Sequence, residues 1–197
     1  LGAGSQGQEV LNIVNDINCE SNQYEVIGFL DDDKNKSQKE FQGTPVMGAL
    51  NSLSDFPDAY LVTALQSINN FWKSKKVLED VFCNAERFVN LIHPSASISP
   101  QSQLGVNCVI FPQVTIGVNA RIGNHVNILP NSVINHDSNI GDYCILASGV
   151  CVSGRVLIGN QCYLGSGTTV IQNTVFGEQC MTGMGSVILS DLPANSV

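Results

Sequence analysis

After Lys76 the chain contains no lysine. Residues 95–197 carry only four acidic and two basic side chains, against 13 and seven in residues 1–94. The net charge of −8 and the lack of any basic cluster exclude a nucleic-acid or anionic-membrane surface. No apolar run is long enough to span a bilayer and no secretory leader pattern is visible, so the expected location is the cytoplasm. Seven cysteines are present without a Cys-x-x-Cys pair, which argues for a reducing compartment and against a thiolate metal site. A histidine zinc site needs three converging imidazoles. The second half offers only His125 and His136, so no metal is expected.

What the second half does contain is a rhythm. From Ile98 to Ile188 an aliphatic side chain recurs every six residues without an insertion: Ile98, Leu104, Ile110, Ile116, Ile122, Ile128 and onward. Thr182 alone among the sixteen positions is polar. Two residues earlier stands a slim side chain, as at Cys108, Val114, Ala120, Ser132, Cys144, Cys162 and Cys180. A period of six fits neither a helix nor simple strand alternation. It fits a hexapeptide β-helix, in which three six-residue sides close a triangular coil and each residue stacks on the one 18 positions away. Five such coils make a prism roughly 24 Å long. Four of the cysteines fall in the slim slot and read as packed thiols. Glycine often follows the aliphatic residue, as at Gly105, Gly123 and Gly159, and with asparagine it is expected to supply the positive φ of tight corners.

The first half reads as a small α/β unit. Gly2-Ala3-Gly4-Ser5-Gln6-Gly7 opens a helical face of Val10, Leu11, Ile13, Val14 and Ile17. Strands are expected at Tyr24–Leu30, Ala59–Thr63 and Phe88–Ile92, and a second helix over Ser67–Phe82. This alternation implies a parallel sheet flanked by helices. The composition break near His93-Pro94 sets the expected domains at 1–93 and 94–197. The glycine loop, with Asp31 beyond the next strand, fits a phosphate-binding turn at a helix N-terminus. The unit is short for hydride chemistry, and a nucleotide used as a handle on a substrate fits better.

In the coil, His136 lies beside Asp137, a carboxylate able to orient its imidazole. A neutral imidazole can take a proton from an attacking amine or hydroxyl. One coil further, at 18 residues, stands Gly154, whose N–H could hold the oxyanion of a tetrahedral intermediate. Base and oxyanion donor are two parts of acyl transfer. A convex prism has no deep pocket, so such a site needs a neighbouring subunit. His125 shares a column with Tyr143 and Gln161 and reads as a surface or subunit-contact residue. His93, before a proline, reads as structural.

Several stretches occur in a telling order: the Gly-Ala-Gly loop, Gly28-Phe29-Leu30-Asp31-Asp32, Ile92-His93-Pro94-Ser95-Ala96, Ile134-Asn135-His136-Asp137, Ile140-Gly141-Asp142, and Gly183-Met184-Gly185-Ser186. Together they resemble the bacterial nucleotide-sugar acetyltransferases, of the sialic-acid O-acetyltransferase and UDP-4-amino-sugar N-acetyltransferase type. The resemblance covers essentially the whole chain. It implies a Rossmann-like unit followed by a left-handed parallel β-helix, acetyl-CoA as cosubstrate, and a homotrimer with sites between subunits. It also implies His136 as general base with Asp137 beside it, and Gly154 as oxyanion donor near the thioester. Gly4, Ser5 and Gln6 would hold the sugar-nucleotide phosphates, Asp31 and Asp32 the nucleoside, and Ile145, Gly154, Ser166 and Met184 the coenzyme. Departures exist. Gly4-Ser5-Gln6-Gly7 replaces a common Gly-Gly-His-Gly, Ile145 replaces a common second histidine, and Ala64-Leu65 replaces a common Ile-Gly. The expected reaction is N-acetylation of a UDP-linked 4-amino sugar for a surface glycan or glycoprotein, with O-acetylation of sialic acid or another sugar as the alternative. A non-catalytic nucleotide-sugar sensor is the rival from another class.

Overall fold

The computed structural model describes residues 1–65, 71–81 and 85–197. From Leu91 onward the chain winds into a three-sided prism of short parallel strands. One six-stranded sheet runs from Leu91–Ile92 to Met181–Thr182, a second from Ser97–Ile98 to Val187–Ile188, and a five-stranded third from Gln103–Leu104 to Val175–Phe176. Every pairing joins residues 18 apart: Ile128 lies between Ile110 and Leu146, and Ile134 between Ile116 and Val152. The six-residue spacing therefore becomes one side of a triangle, and the aliphatic residues stack inside it, fully buried at Ile110, Ile128, Ile134, Ile140 and Leu146.

The slim residues fill the space between these stacks. Cys108, Cys144, Cys162 and Cys180 are buried, and each thiol donates to a carbonyl, as Cys144 does to Gly159 at 3.1 Å. Thr182, the polar exception, is satisfied inside the prism. Its hydroxyl lies 2.9 Å from that of Thr168 and accepts the Gly165 N–H at 3.1 Å.

The corners correct one expectation. Positive φ falls once per six residues from Asn107 to Gly185, three residues before the aliphatic position, and it is carried mostly by asparagine, glutamine and other side chains. The glycines that follow the aliphatic residue are not in this conformation. They are needed because stacked corners touch: a Cβ on Gly159 would sit 2.7 Å from the Gly177 carbonyl carbon.

In the first half, α1 (Ser5–Ser21) carries the expected apolar face, with Val10, Leu11, Ile13, Val14 and Ile17 buried. The sheet is smaller than expected and mixed. β1 (Phe29–Leu30) pairs in parallel with β3 (Thr44–Gly48), and β2 (Glu40–Phe41) pairs antiparallel with β3. The hairpin of β2 and β3 has no counterpart in the sequence reading. Of Ala59–Thr63 only Leu61 forms a bridge, to Phe88. Leu1 and Gly2 lie between the two expected strands, bonding Leu30, Val62 and Ala64. Tyr24–Gly28 flanks a cavity. α2 (Ser74–Val81) forms within the second expected helix, whose Ser67, Ile68 and Phe82 lie outside the described residues.

The two halves are packed together. Val10, Ile13, Val14 and Ile17 of α1 share one core with Leu91 and Val109, so α1 covers the sheet that begins with β4 (Leu91–Ile92). Asn107 Oδ1 accepts the Thr63 N–H at 3.1 Å and its amide reaches His125 Nδ1 at 2.7 Å. His125 corrects a second expectation. It is 8% exposed, stacked on Tyr143 at 4.7 Å with Phe88 edge-on, and so belongs to the joint within one chain. Desolvation lowers its basicity, although Asp142 works against that. His93 is structural, with Nε2 3.1 Å from Asp16 on α1.

Truncating the stack tests this core. Ile134→Ala, with its side chain wholly buried, is expected to cost about 2–5 kcal/mol in urea unfolding. Thr115→Ala, on the outward face of the neighbouring strand, is expected to cost at most about 1 kcal/mol.

Candidate active site

The corner between the second and third sheets carries the candidate base. His136 and Asp137 form this corner on one turn, Gly154 and Arg155 on the next. Asp137 takes φ +58, a conformation that aspartate tolerates, and its N–H donates to Val118 O at 2.9 Å. The Arg155 N–H donates to His136 O at 2.9 Å, so successive corners are locked in register. Within this frame His136 Nδ1 lies 2.8 Å from Asp137 Oδ2, with the two side chains 52% and 45% exposed. A carboxylate only accepts, so Nδ1 carries the hydrogen, and neutral His136 presents a bare Nε2.

Gly154 sits behind that nitrogen. A Cβ placed there would be 2.6 Å from His136 Nε2, so no other residue lets the imidazole lie as it does. Among the described residues the Gly154 N–H donates to no acceptor. The 18-residue rule thus brings together the base candidate and the oxyanion-donor candidate.

The Asp137 carboxyl is held below its ordinary range. The His136 hydrogen bond contributes most, the Asn119 amide next at 3.1 Å to Oδ1, and nearby Arg155 adds attraction. Arg155 itself is turned away, its Nε donating to Asn173 Oδ1 at 2.9 Å. Asn119, Arg155 and Asn173 escaped the sequence reading. Applying the 18-residue step to Asp137, as it was applied to His136, finds all three. Beside this corner a polar groove of about 450 Å³ runs over the third sheet, lined by Gln103, Asn119, Arg121, Asp137 and Asn139.

The glycine loop forms a second candidate region. Gly4 caps α1 with φ −80 and no side-chain bond, leaving the first N–H groups of a 17-residue helix open to an anion. Ser5 and Gln6 are the first helical residues. Gly7 must lack a side chain because a Cβ would run into the Gly2 carbonyl. Asp31 anchors the loop. Its Oδ2 accepts the Ala3 N–H at 2.7 Å and Lys36 Nζ at 2.8 Å, and its Oδ1 accepts the Asp33 N–H. Partial burial pushes this carboxyl upward, but the bonds from Lys36, Ala3 and Asp33 outweigh it and hold it low. Asp32 is exposed and accepts the Leu50 N–H through Oδ1 at 2.8 Å. Lys36 is a cation the sequence reading passed over; its ammonium lies about one atom's contact from Gly4. A cavity of about 640 Å³ lies under α1 and Leu1, is walled mostly by apolar side chains, and includes no residue beyond Leu91.

The remaining candidates lie apart. Ser166 and Met184 share a different prism edge, where the Gly185 N–H donates to Ser166 O, and Met184 is 81% exposed. Ile145 faces outward on the sheet that begins with β4 yet is only 4% exposed. The α/β unit covers that same sheet, which leaves His136 at the corner opposite to it.

Residues 89–192, more than half of the chain, match the family model described as the GMPPB C-terminal domain and belong to that family. Residues 1–80 match the model described as the PglD N-terminal domain. A histidine-to-alanine mutant of GDP-perosamine N-acetyltransferase from Caulobacter crescentus, solved with CoA and GDP-perosamine, superposes with TM-score 0.85. It is 26% identical, over 98% of this chain and 89% of that one. The chain belongs to the bacterial nucleotide-sugar acetyltransferase family. Its fold is a Rossmann-like unit followed by a left-handed parallel β-helix. The acetyltransferase domain of PglB from Neisseria gonorrhoeae, solved with acetyl coenzyme A, and WeeI from Acinetobacter baumannii share that fold. Each has TM-score 0.82, 24% identity and coverage of 98% of this chain and 91% of the other. No curated protein sequence matches the chain.

Two measurements check the corner. Gly154→Ala is expected to push the imidazole of His136 off its position, visible as a shifted ring in a crystal structure of the variant. Carbon-13 titration of Asp137 is expected to give a midpoint below the ordinary 3.8. A lowered folded value means that the dyad contributes fully above the unfolded value and is lost as pH falls through the folded one.

Proposed function

We propose that this acetyltransferase moves the acetyl group of acetyl-CoA to the 4-amino group of a nucleotide-linked sugar. The observation that carries the reading is the corner itself: a bare imidazole nitrogen, fixed by a carboxylate at 2.8 Å, over a glycine whose N–H is open. The structural relative solved with CoA and a GDP-linked amino sugar supports the substrate class.

In this reading His136 Nε2 takes a proton from the attacking amine, and the nitrogen forms a bond to the thioester carbonyl carbon. Asp137 keeps Nδ1 protonated and balances the imidazolium that forms. The Gly154 N–H donates to the carbonyl oxygen as it gains charge, which is where a fixed donor contributes most. Collapse of the tetrahedral intermediate breaks the carbon–sulfur bond, and CoA leaves as the thiol, with the proton returned by His136.

Residues 1–93 hold the sugar nucleotide. Phosphate oxygens meet the open N–H groups at Gly4, Ser5 and Gln6 with Lys36 nearby, and Asp32 offers its second carboxylate oxygen to the nucleoside. Asp31 is already engaged with Ala3 and Lys36 and supports the loop. The α/β unit of one chain lies across the prism from His136, which favours a site shared between chains. Three prisms around a threefold axis would set the loop and the coenzyme edge of Ser166 and Met184 of one copy toward His136 of the next. Among the described residues no helix is long and apolar enough to cross a membrane; acetyl-CoA as the donor supports a cytoplasmic reaction.

Free thiol released from acetyl-CoA in the presence of GDP- or UDP-linked 4-amino sugars reads the activity directly. His136→Ala is expected to lower kcat by about 10²–10⁴-fold, the usual general-base contribution. Wild-type turnover in that variant removes the base assignment. A panel of amino and hydroxyl acceptors read by mass spectrometry separates N- from O-acetylation.

A further inference from the structure

The base candidate is held by a carboxylate that is itself nearly half exposed and sits on the surface. A side chain in that setting samples several rotamers, and one that swings away leaves the imidazole free to turn. Something must hold Asp137 if His136 is to present one nitrogen reliably. Two neighbours at the same edge act on it. Below, Asn119 donates its amide to Oδ1 at 3.1 Å, leaving Oδ2 for His136. Above, Arg155 is a cation whose charge acts on that carboxylate. Its Nε is committed to Asn173, and it forms no ion pair with Asp137 within 4.0 Å.

We infer that Asn119 is a positioning residue for the reaction: it pins Asp137 from the preceding coil so that the carboxylate faces His136 Nδ1. The inference rests on His136 acting as the base. Three features of the structure support it. Asn119 and Asp137 lie one coil apart at the same corner position, with φ +57 and +58, so their side chains leave the backbone in parallel. The two oxygens of Asp137 are divided between two donors, which defines the plane of the carboxylate as one bond would not. And Asn119 lines the polar groove beside the corner, next to Asp137.

The role is distinct from that of Asp137. Asn119 touches no reacting atom; it acts through the carboxylate and, through that, on which ring nitrogen of His136 carries hydrogen. The structure also shows what the position tolerates. Glutamine occupies the equivalent corner place at Gln113, Gln161 and Gln179 with φ near +58. A longer carboxamide thus fits the backbone and keeps a donor.

The test compares three variants of the full chain. Asn119→Gly removes the donor while accepting the left-handed backbone. Asn119→Asp keeps the shape but sets an acceptor against an acceptor. Asn119→Gln restores a donor. The Gly and Asp variants are expected to lose kcat by about 10-fold or more while the KM values change less than about 2-fold, as for loss of orientation alone. Nitrogen-15 spectra of His136 are expected to move from the Nδ1–H tautomer toward a mixture in both, with thermal unfolding little changed. Asn119→Gln is expected to recover most of the turnover and the wild-type tautomer. Wild-type kcat and tautomer in the Gly and Asp variants, with His136→Ala inactive, overturn the role of Asn119 and leave the base in place. A rise in KM with kcat unchanged makes Asn119 a substrate contact and also overturns it. Activity retained in His136→Ala removes the base itself.

Discussion

The hydrogen-bonded backbone ladder, whose register pairs residues 18 apart, is the constraint on which this molecule depends. It runs the length of the prism, from the Leu91 N–H on Cys108 O to the Ile171 N–H on Ile188 O. Each such bond is worth only about 0.5–1.5 kcal/mol net, but the ladder decides every neighbour relation in the coil. It stacks Ile128 between Ile110 and Leu146, and it also stacks His136 over Gly154 and Asn119 under Asp137. Core and site are two readings of one register, separated only by whether a side chain points into the prism or off its corner.

The division between interior and corner explains how stability and chemistry coexist here. Interior positions accept aliphatic or slim residues and little else, because the space between stacks is full. The positive-φ corner position is far more permissive. It holds asparagine, glutamine, histidine, aspartate, tyrosine and arginine in this one chain. Those are the polar and ionisable types from which binding and catalysis are built. At one corner they make the His136–Asp137 pair. At another, His125 and Tyr143 stack together and seat the α/β unit on the prism. The same backbone solution thus carries the proposed base pair on one edge and domain docking on another.

The coil was almost fully legible in the sequence because a period of six over sixteen positions leaves a single way to bury the aliphatic residues. The nearness of His136 to Gly154 was legible for the same reason. The α/β unit was less so. Its strands depend on pairing between segments far apart in the chain, and Tyr24–Leu30 shrinks to Phe29–Leu30 where a neighbouring strand is needed to complete the ladder. The role of His125 was missed because a histidine at a prism corner gives no sign of what packs over it; only the tertiary contact with Phe88 shows it. Asn119 was missed for a different reason. An asparagine at a tight corner has a sufficient explanation in its backbone alone, and that explanation conceals the hydrogen bond its side chain makes.

The triangular cross-section also quantises the lengths this chain can adopt. Adding or removing a full turn of 18 residues keeps every later residue on its edge, so the prism can grow or shrink without disturbing the neighbours of His136. A change of six residues preserves the packing of the interior, yet it turns everything beyond it by a third of a revolution. Such a chain would remain a well-packed prism with its histidine facing the wrong neighbour. Folding alone would not detect the error; only the geometry shared between edges would.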